Sequence, residues 1–333
     1  MSENVSLATL SPSCHNVSEG QLTERFWVSA VIGPCFTVIS LLGNSLILAL
    51  LAVNRARRNS IWFYFLMLAI CDIIVSICYP LNSTLRIVYQ LQESVHLKNI
   101  WLSFGIWTTP LGNAAIAMCA FLLFFVAVER VFKTTVFLQN RRKLLTFLAL
   151  LVVVPSYGSQ FFEIDIVRNA SCAGALNEYL VTVSDFGSKY NSPLYFYRVF
   201  SSLLLGLLAL VLAFGVILRK YGSKTYDLVA QKDVEIDKQI AVAPKTLLLL
   251  VLTNMATEII VLTLNSWEHI DLQSLYKYKR FYAILSEMLS LVAVIVCALR
   301  FPIYWLCEPG FKTEIKDMLT WKKKGTVKIL IKA

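Results

Sequence analysis

Three ionisable residues stand inside long apolar runs: Asp72, Glu258 and Arg300. A carboxylate or guanidinium in such surroundings is costly unless it is partnered, so each marks ion pairing or recognition of a charged ligand. Asp72 is too short to reach water from the middle of its run. Glu287 lies nearer the end of a run, and Glu129-Arg130 closes another. A His-rich metal centre is excluded, because the three histidines (His15, His96 and His269) all fall outside the apolar runs and the eight cysteines contain no CxxC pair. The residues point to binding and charge rearrangement rather than bond cleavage, and no cofactor is called for.

The elements that must position them follow from composition. Of 333 residues, 57% are hydrophobic and 16% charged, against about 45–50% and about 25% in a soluble domain. The apolar residues gather into seven blocks, near 27–53, 61–85, 103–129, 144–162, 194–218, 246–265 and 281–306. Each is long enough to cross about 30 Å of hydrocarbon as a helix, and helix is forced because an isolated segment in lipid must satisfy its own backbone. The fold class is therefore an all-α membrane protein, a seven-transmembrane helix bundle. Three parts result: a polar stretch over 1–26 without a signal peptide's apolar core, the bundle over 27–306, and a basic tail over 307–333.

Of the 31 Lys and Arg, 21 fall in the loops on the C-terminal side and nine on the N-terminal side, with Arg300 inside the last span. This asymmetry predicts a plasma-membrane, multi-pass protein with an extracellular N-terminus and a cytoplasmic C-terminus. It also accounts for the net charge of +10 without a nucleic-acid partner. The acceptor triplets at Asn4, Asn16 and Asn169 all fall on the assigned outer side. Of the cysteines, Cys14 and Cys172 are the two placed for an oxidising side. Phe311, Ile315, Met318 and Leu319 recur at helical spacing beside Lys312 and Lys316, which predicts a short amphipathic eighth helix lying on the lipid of the inner leaflet.

Gly43-Asn44 in the first span and Leu68-Ala69-Ile70-Cys71-Asp72 in the second resemble the rhodopsin-like G-protein-coupled receptors, as do Glu129-Arg130-Val131 ending the third and Pro302-Ile303-Tyr304 ending the seventh. The likeness runs in order over roughly residues 27–320. It implies a receptor that passes binding of an outer ligand to a heterotrimeric G protein, with Glu129 and Arg130 at the coupling face. Arg130 would contact Gα, Leu138 would supply the inner-loop apolar contact, and Tyr304 would help hold the active packing.

Departures from the family are equally informative. The family's cysteine at the outer end of the third span is absent, which leaves Cys14–Cys172 as an alternative pairing. The fourth-span tryptophan and the prolines of the fifth and sixth spans are missing. Arg300 stands where the family carries an asparagine, and the neighbouring sodium-site hydroxyl positions are Cys119 and Cys297. A direct Asp72–Arg300 pair, in a polar network with Asn44, is predicted to replace the sodium ion.

Gly112 occupies the position of the aminergic aspartate, and the seventh span has no lysine, so neither an amine nor a retinal Schiff base is expected. The stretch Met255–Ile260 is similar to that of invertebrate, nematode-type FMRFamide receptors. Glu258 and Glu287, with Trp107 and Tyr195 as aromatic walls, predict a site for a cationic neuropeptide end. The lost disulfide equally fits a chemosensory receptor for small environmental molecules. A channel or transporter is the lesser alternative, since neither repeats nor a filter motif is visible.

Overall fold

The computed structural model describes residue 14 and residues 19–131, 141–222, 243–270, 277–308, 310–316 and 318. Seven helices are long and apolar enough to span a membrane: Leu22–Val53, Trp62–Leu91, Val95–Val131, Arg142–Glu163, Phe196–Leu218, Pro244–Leu264 and Phe281–Cys307. They are called the first to seventh spans below. The first begins five residues before the expected 27, in a helix that already starts at Glu19, and the third starts at Val95 rather than 103. Apolarity marks where lipid begins; the hydrogen-bonded backbone continues past it.

The second span packs on the first and third, the fifth on the third and sixth, and the seventh on the first and sixth. Close approaches are made at glycines. A Cβ on Gly43 would meet Phe301 Cβ at 2.8 Å, so the first and seventh spans touch there almost backbone to backbone. Two π-helical turns, Trp27–Ile32 and Pro80–Thr84, interrupt the first two spans. At Pro80 the ring removes a backbone donor, which is one recognised cause of such a turn. Within the core, Trp62, Phe65, Tyr304 and Phe311 cluster near the end of the seventh span, Tyr304 lying 5.6 Å from Phe65 and 5.9 Å from Phe311 between ring centroids.

Between the fourth and fifth spans lies a hairpin absent from the expected scheme. Strands β1 (Ile164–Arg168) and β2 (Tyr179–Val183) pair antiparallel from Ile164↔Val183 to Arg168↔Tyr179. Both are rich in β-branched residues, and Gly174, at φ +77°, supplies the left-handed turn between them. Residues 311–316 are helical. Their apolar face packs against the bundle, with Phe311 fully buried and Ile315 nearly so. Lys312 and Lys316 stay exposed.

Candidate functional site

The middle of the bundle holds a buried polar column. Arg300 Nη1 lies 3.0 Å from Asp72 Oδ1, both side chains almost wholly excluded from solvent. Cys119 Sγ approaches the same oxygen at 4.0 Å. Asn44 Nδ2 donates to Ser40 O at 3.0 Å and across to Cys297 O at 3.1 Å, joining the first span to the seventh. Ser76 Oγ bonds Ser40 Oγ and its own helix at Asp72 O, each at 2.7 Å. The helical period explains the convergence, because Ser40 and Asn44, and Asp72 and Ser76, are four apart and share a face. A small cavity beside Arg300 is lined by Cys119, Asn254, Thr257 and Cys297. The guanidinium thus occupies the space next to Asp72 and neutralises it.

Glu258 is equally buried, but its setting differs. Its Oε1 accepts from Ser202 Oγ of the fifth span at 2.6 Å, and no ion pair reaches it among the described residues. Ser202 also lines a cleft between the third, fourth and fifth spans with Tyr157 and Arg198.

Glu287, at the outer end, carries two cations. Arg25 Nη2 and Arg86 Nη2 each lie 2.7 Å from Oε1, and Ser29 Oγ donates to Oε2 at 2.7 Å. The sequence offered Glu287 to a cationic ligand; Arg25 and Arg86 already fill that role, and Glu287 is fully buried beneath them. The aromatic walls do not converge on Glu258 either. Trp107 is 65% exposed, in an outward stripe with Phe104 and Leu111, both 50% exposed, and its ring packs on Phe161 at 4.9 Å. Spacing of three and four turns this stripe away from the bundle. Tyr195 lies in the fifth helix, with its side chain outside the described residues.

The rim on the N-terminal side is held in three ways. Cys14 and Cys172 form a disulfide with Cα atoms 5.4 Å apart, tying the N-terminal region to the hairpin. Lys98 Nζ donates to Leu176 O, and to Tyr179 O at 2.7 Å, so an ammonium docks the hairpin on the third span. Glu163 and Arg198 form a two-pronged pair at 2.7 and 2.9 Å between the fourth and fifth spans. Asn169 caps the turn before Cys172, accepting from Ser171 N at 3.3 Å; Asn4 and Asn16 lie outside the described residues. Nearby Glu178 is held below the usual glutamate range, first by the Gly174 N–H and then by Arg168.

At the end of the bundle where the seventh span finishes, Glu129 accepts from Arg142 Nε at 3.1 and 3.0 Å, and Arg142 Nη1 also donates to Asn59 O at 2.6 Å. Glu129 is therefore engaged with the fourth span. Arg130 sits half-buried beside it, within the field of Glu308. Tyr304 is buried in the aromatic cluster, and Leu138 lies outside the described residues. Arg57 pairs with Glu314 and stacks its guanidinium 4.4 Å over Trp62, linking the first inner loop to the short helix. Glu163, Arg198, Lys98, Arg142 and Glu308 were not singled out from the sequence. The available signal was the presence of opposite charges at adjoining span ends, which names a side of the membrane without naming partners.

No known family's sequence profile matches the chain. A stretch of 185 residues is 26% identical to the mouse (Mus musculus) protein "Probable G-protein coupled receptor 34", covering 55% of this chain and 44% of that protein. The chain thus matches less than half the length of its curated relative.

Proposed function

We propose that this protein is a G-protein-coupled receptor of rhodopsin-like type, sitting in the plasma membrane with its N-terminus outside and its C-terminus inside. The observation that carries the reading is the column Asn44–Asp72–Arg300, which runs through a seven-span bundle toward Tyr304, in a chain similar to a mouse protein with a receptor's name. Such a column is a set of helix-to-helix contacts that two alternative packings must make differently. An outer ligand that binds one packing more tightly shifts the balance between them. The orientation draws support from the basic inner loops and from the Cys14–Cys172 disulfide, which belongs on an oxidising side.

In this reading Glu129, Arg130, Tyr304 and Leu138 serve coupling to the heterotrimeric G protein, and Asn4, Asn16 and Asn169 carry glycans. Glu258 is the recognition group, a buried carboxylate with a hydroxyl partner and room in its charge balance for a cation. A neuropeptide ending in Arg-aromatic-amide offers that cation. A small cationic chemosensory ligand is the second reading, favoured by the burial of Glu258 and by the two arginines that offset Glu287 at the mouth.

The test is a second-messenger assay in cells expressing several Gα proteins, screened with amidated peptides and with small amines. A saturable response that Arg130→Ala and Glu258→Gln both weaken at least about tenfold supports the reading, tenfold being about 1.4 kcal/mol. Silence to every ligand and every Gα, with the protein present at the surface, counts against it.

A further inference from the structure

We infer that Glu308 is a latch on the inner end of the sixth span, capping that helix from the end of the seventh. The proposal rests on the receptor reading, in which inner helix ends separate to admit a G protein.

The sixth-span helix begins Pro244-Lys245-Thr246-Leu247, and Leu247 N donates to Ala243 O at 3.2 Å. Ala243 is therefore the residue at which the helix starts, and its methyl side chain has no oxygen with which to cap a free amide. Glu308 supplies one from elsewhere in the chain: its Oε1 accepts from Ala243 N at 2.9 Å. Glu308 is itself fixed, since the seventh helix stops at Cys307, the Glu308 backbone turns extended, and its N–H still donates to Tyr304 O at 3.0 Å. Its side chain points inward and is nearly fully buried. A carboxylate at the start of a helix also complements the helix dipole.

Charge gives the contact a second role. The cations that act on Glu308 are Arg57 and Arg130. Glu129, the acid adjacent to Arg130 in sequence, is occupied by Arg142. Glu308 thus acts on Arg130 of the third span, and the same carboxylate holds the sixth helix. Burial pushes its carboxyl above the usual glutamate range, and the Ala243 N–H, Arg57 and Arg130 work against that rise. Moving the inner end of the sixth span outward separates Ala243 from Glu308 and leaves that carboxylate facing Arg57 and Arg130 alone.

The test uses the full chain in lipid nanodiscs, with amide exchange read at Ala243, alongside ligand-independent G-protein activation at matched surface expression. Glu308→Ala should speed exchange about fivefold or more, the scale of a lost helix cap, and raise basal activation. Glu308→Gln, which keeps an acceptor oxygen but no charge, should raise basal activation with a smaller change in exchange. Unchanged exchange in a Glu308→Ala protein whose thermal melt matches the parent would overturn the latch. If Glu308→Ala does not fold, Ala243→Pro removes only the donor, and unchanged basal activation in that variant would overturn the latch as well. Faster exchange in Glu308→Ala, with no G protein responding to any variant, would keep the cap and overturn the receptor reading.

Discussion

The second and sixth spans each bury one carboxylate, at 0% and 4% exposure, and solve the same electrostatic problem differently. Asp72 has a guanidinium at 3.0 Å; Glu258 has a serine hydroxyl at 2.6 Å. An ion pair inside the bundle is closed, because neither member can accept a further partner of opposite charge without giving up the first. A carboxyl bonded only to a hydroxyl has no counter-charge to give up when a cation arrives. The contrast separates a group committed to holding helices together from one able to recognise something that arrives.

Breaking the first side should produce the largest effect. Asp72→Asn or Arg300→Gln alone leaves a buried charge without its counterpart and should cost about 3–5 kcal/mol, measured by thermal denaturation of the purified protein. The double variant should recover a good part of that loss. A double variant equal to the sum of the two singles would show that the pair is not coupled.

Glu258→Gln should cost far less stability, about 1 kcal/mol for one altered hydrogen bond, while sharply weakening the response to a cationic ligand. Parallel melts of this variant and of Asp72→Asn sharpen the contrast; equal losses would erase it. The smallest effect expected is none. With Arg300 beside Asp72, replacing sodium by N-methyl-D-glucamine at constant ionic strength should leave both the melt and agonist affinity unchanged. A sodium-dependent shift in either would mean that the guanidinium does not fill the ion's place.

The Asp72–Arg300 pair was legible because the resemblance sets Arg300 at the asparagine position beside the sodium site of Asp72, and charges in apolar runs are few. At span ends the reverse holds. Arg25, Arg86, Lys98, Arg142 and Arg198 all lie where side chains reach either solvent or a neighbour, so their partners depend on how each helix is rotated and how far it protrudes. Glu287 reads as open to an incoming cation for that reason, although Arg25 and Arg86 hold it. Trp107 shows the same limit from the apolar side: an aromatic near a membrane interface fits the bundle's inside and its outside equally, and only the packed bundle picks the outward face. The seven helices themselves were read correctly because lipid permits few alternatives, whereas the β1–β2 hairpin lies outside that constraint.

The third span has a mechanical consequence. Val95–Val131 is one 37-residue helix, about 55 Å at 1.5 Å per residue, well beyond the roughly 30 Å of hydrocarbon it must cross. Lys98, which grips the outer hairpin, and Arg130, at the inner mouth, therefore ride on the same rod. Pro110 lies inside it and removes one backbone bond, giving the rod a single weak joint between grip and tip. A push on the hairpin is delivered to the inner face as a tilt of the rod or a bend at that joint, with no intervening loop to absorb it.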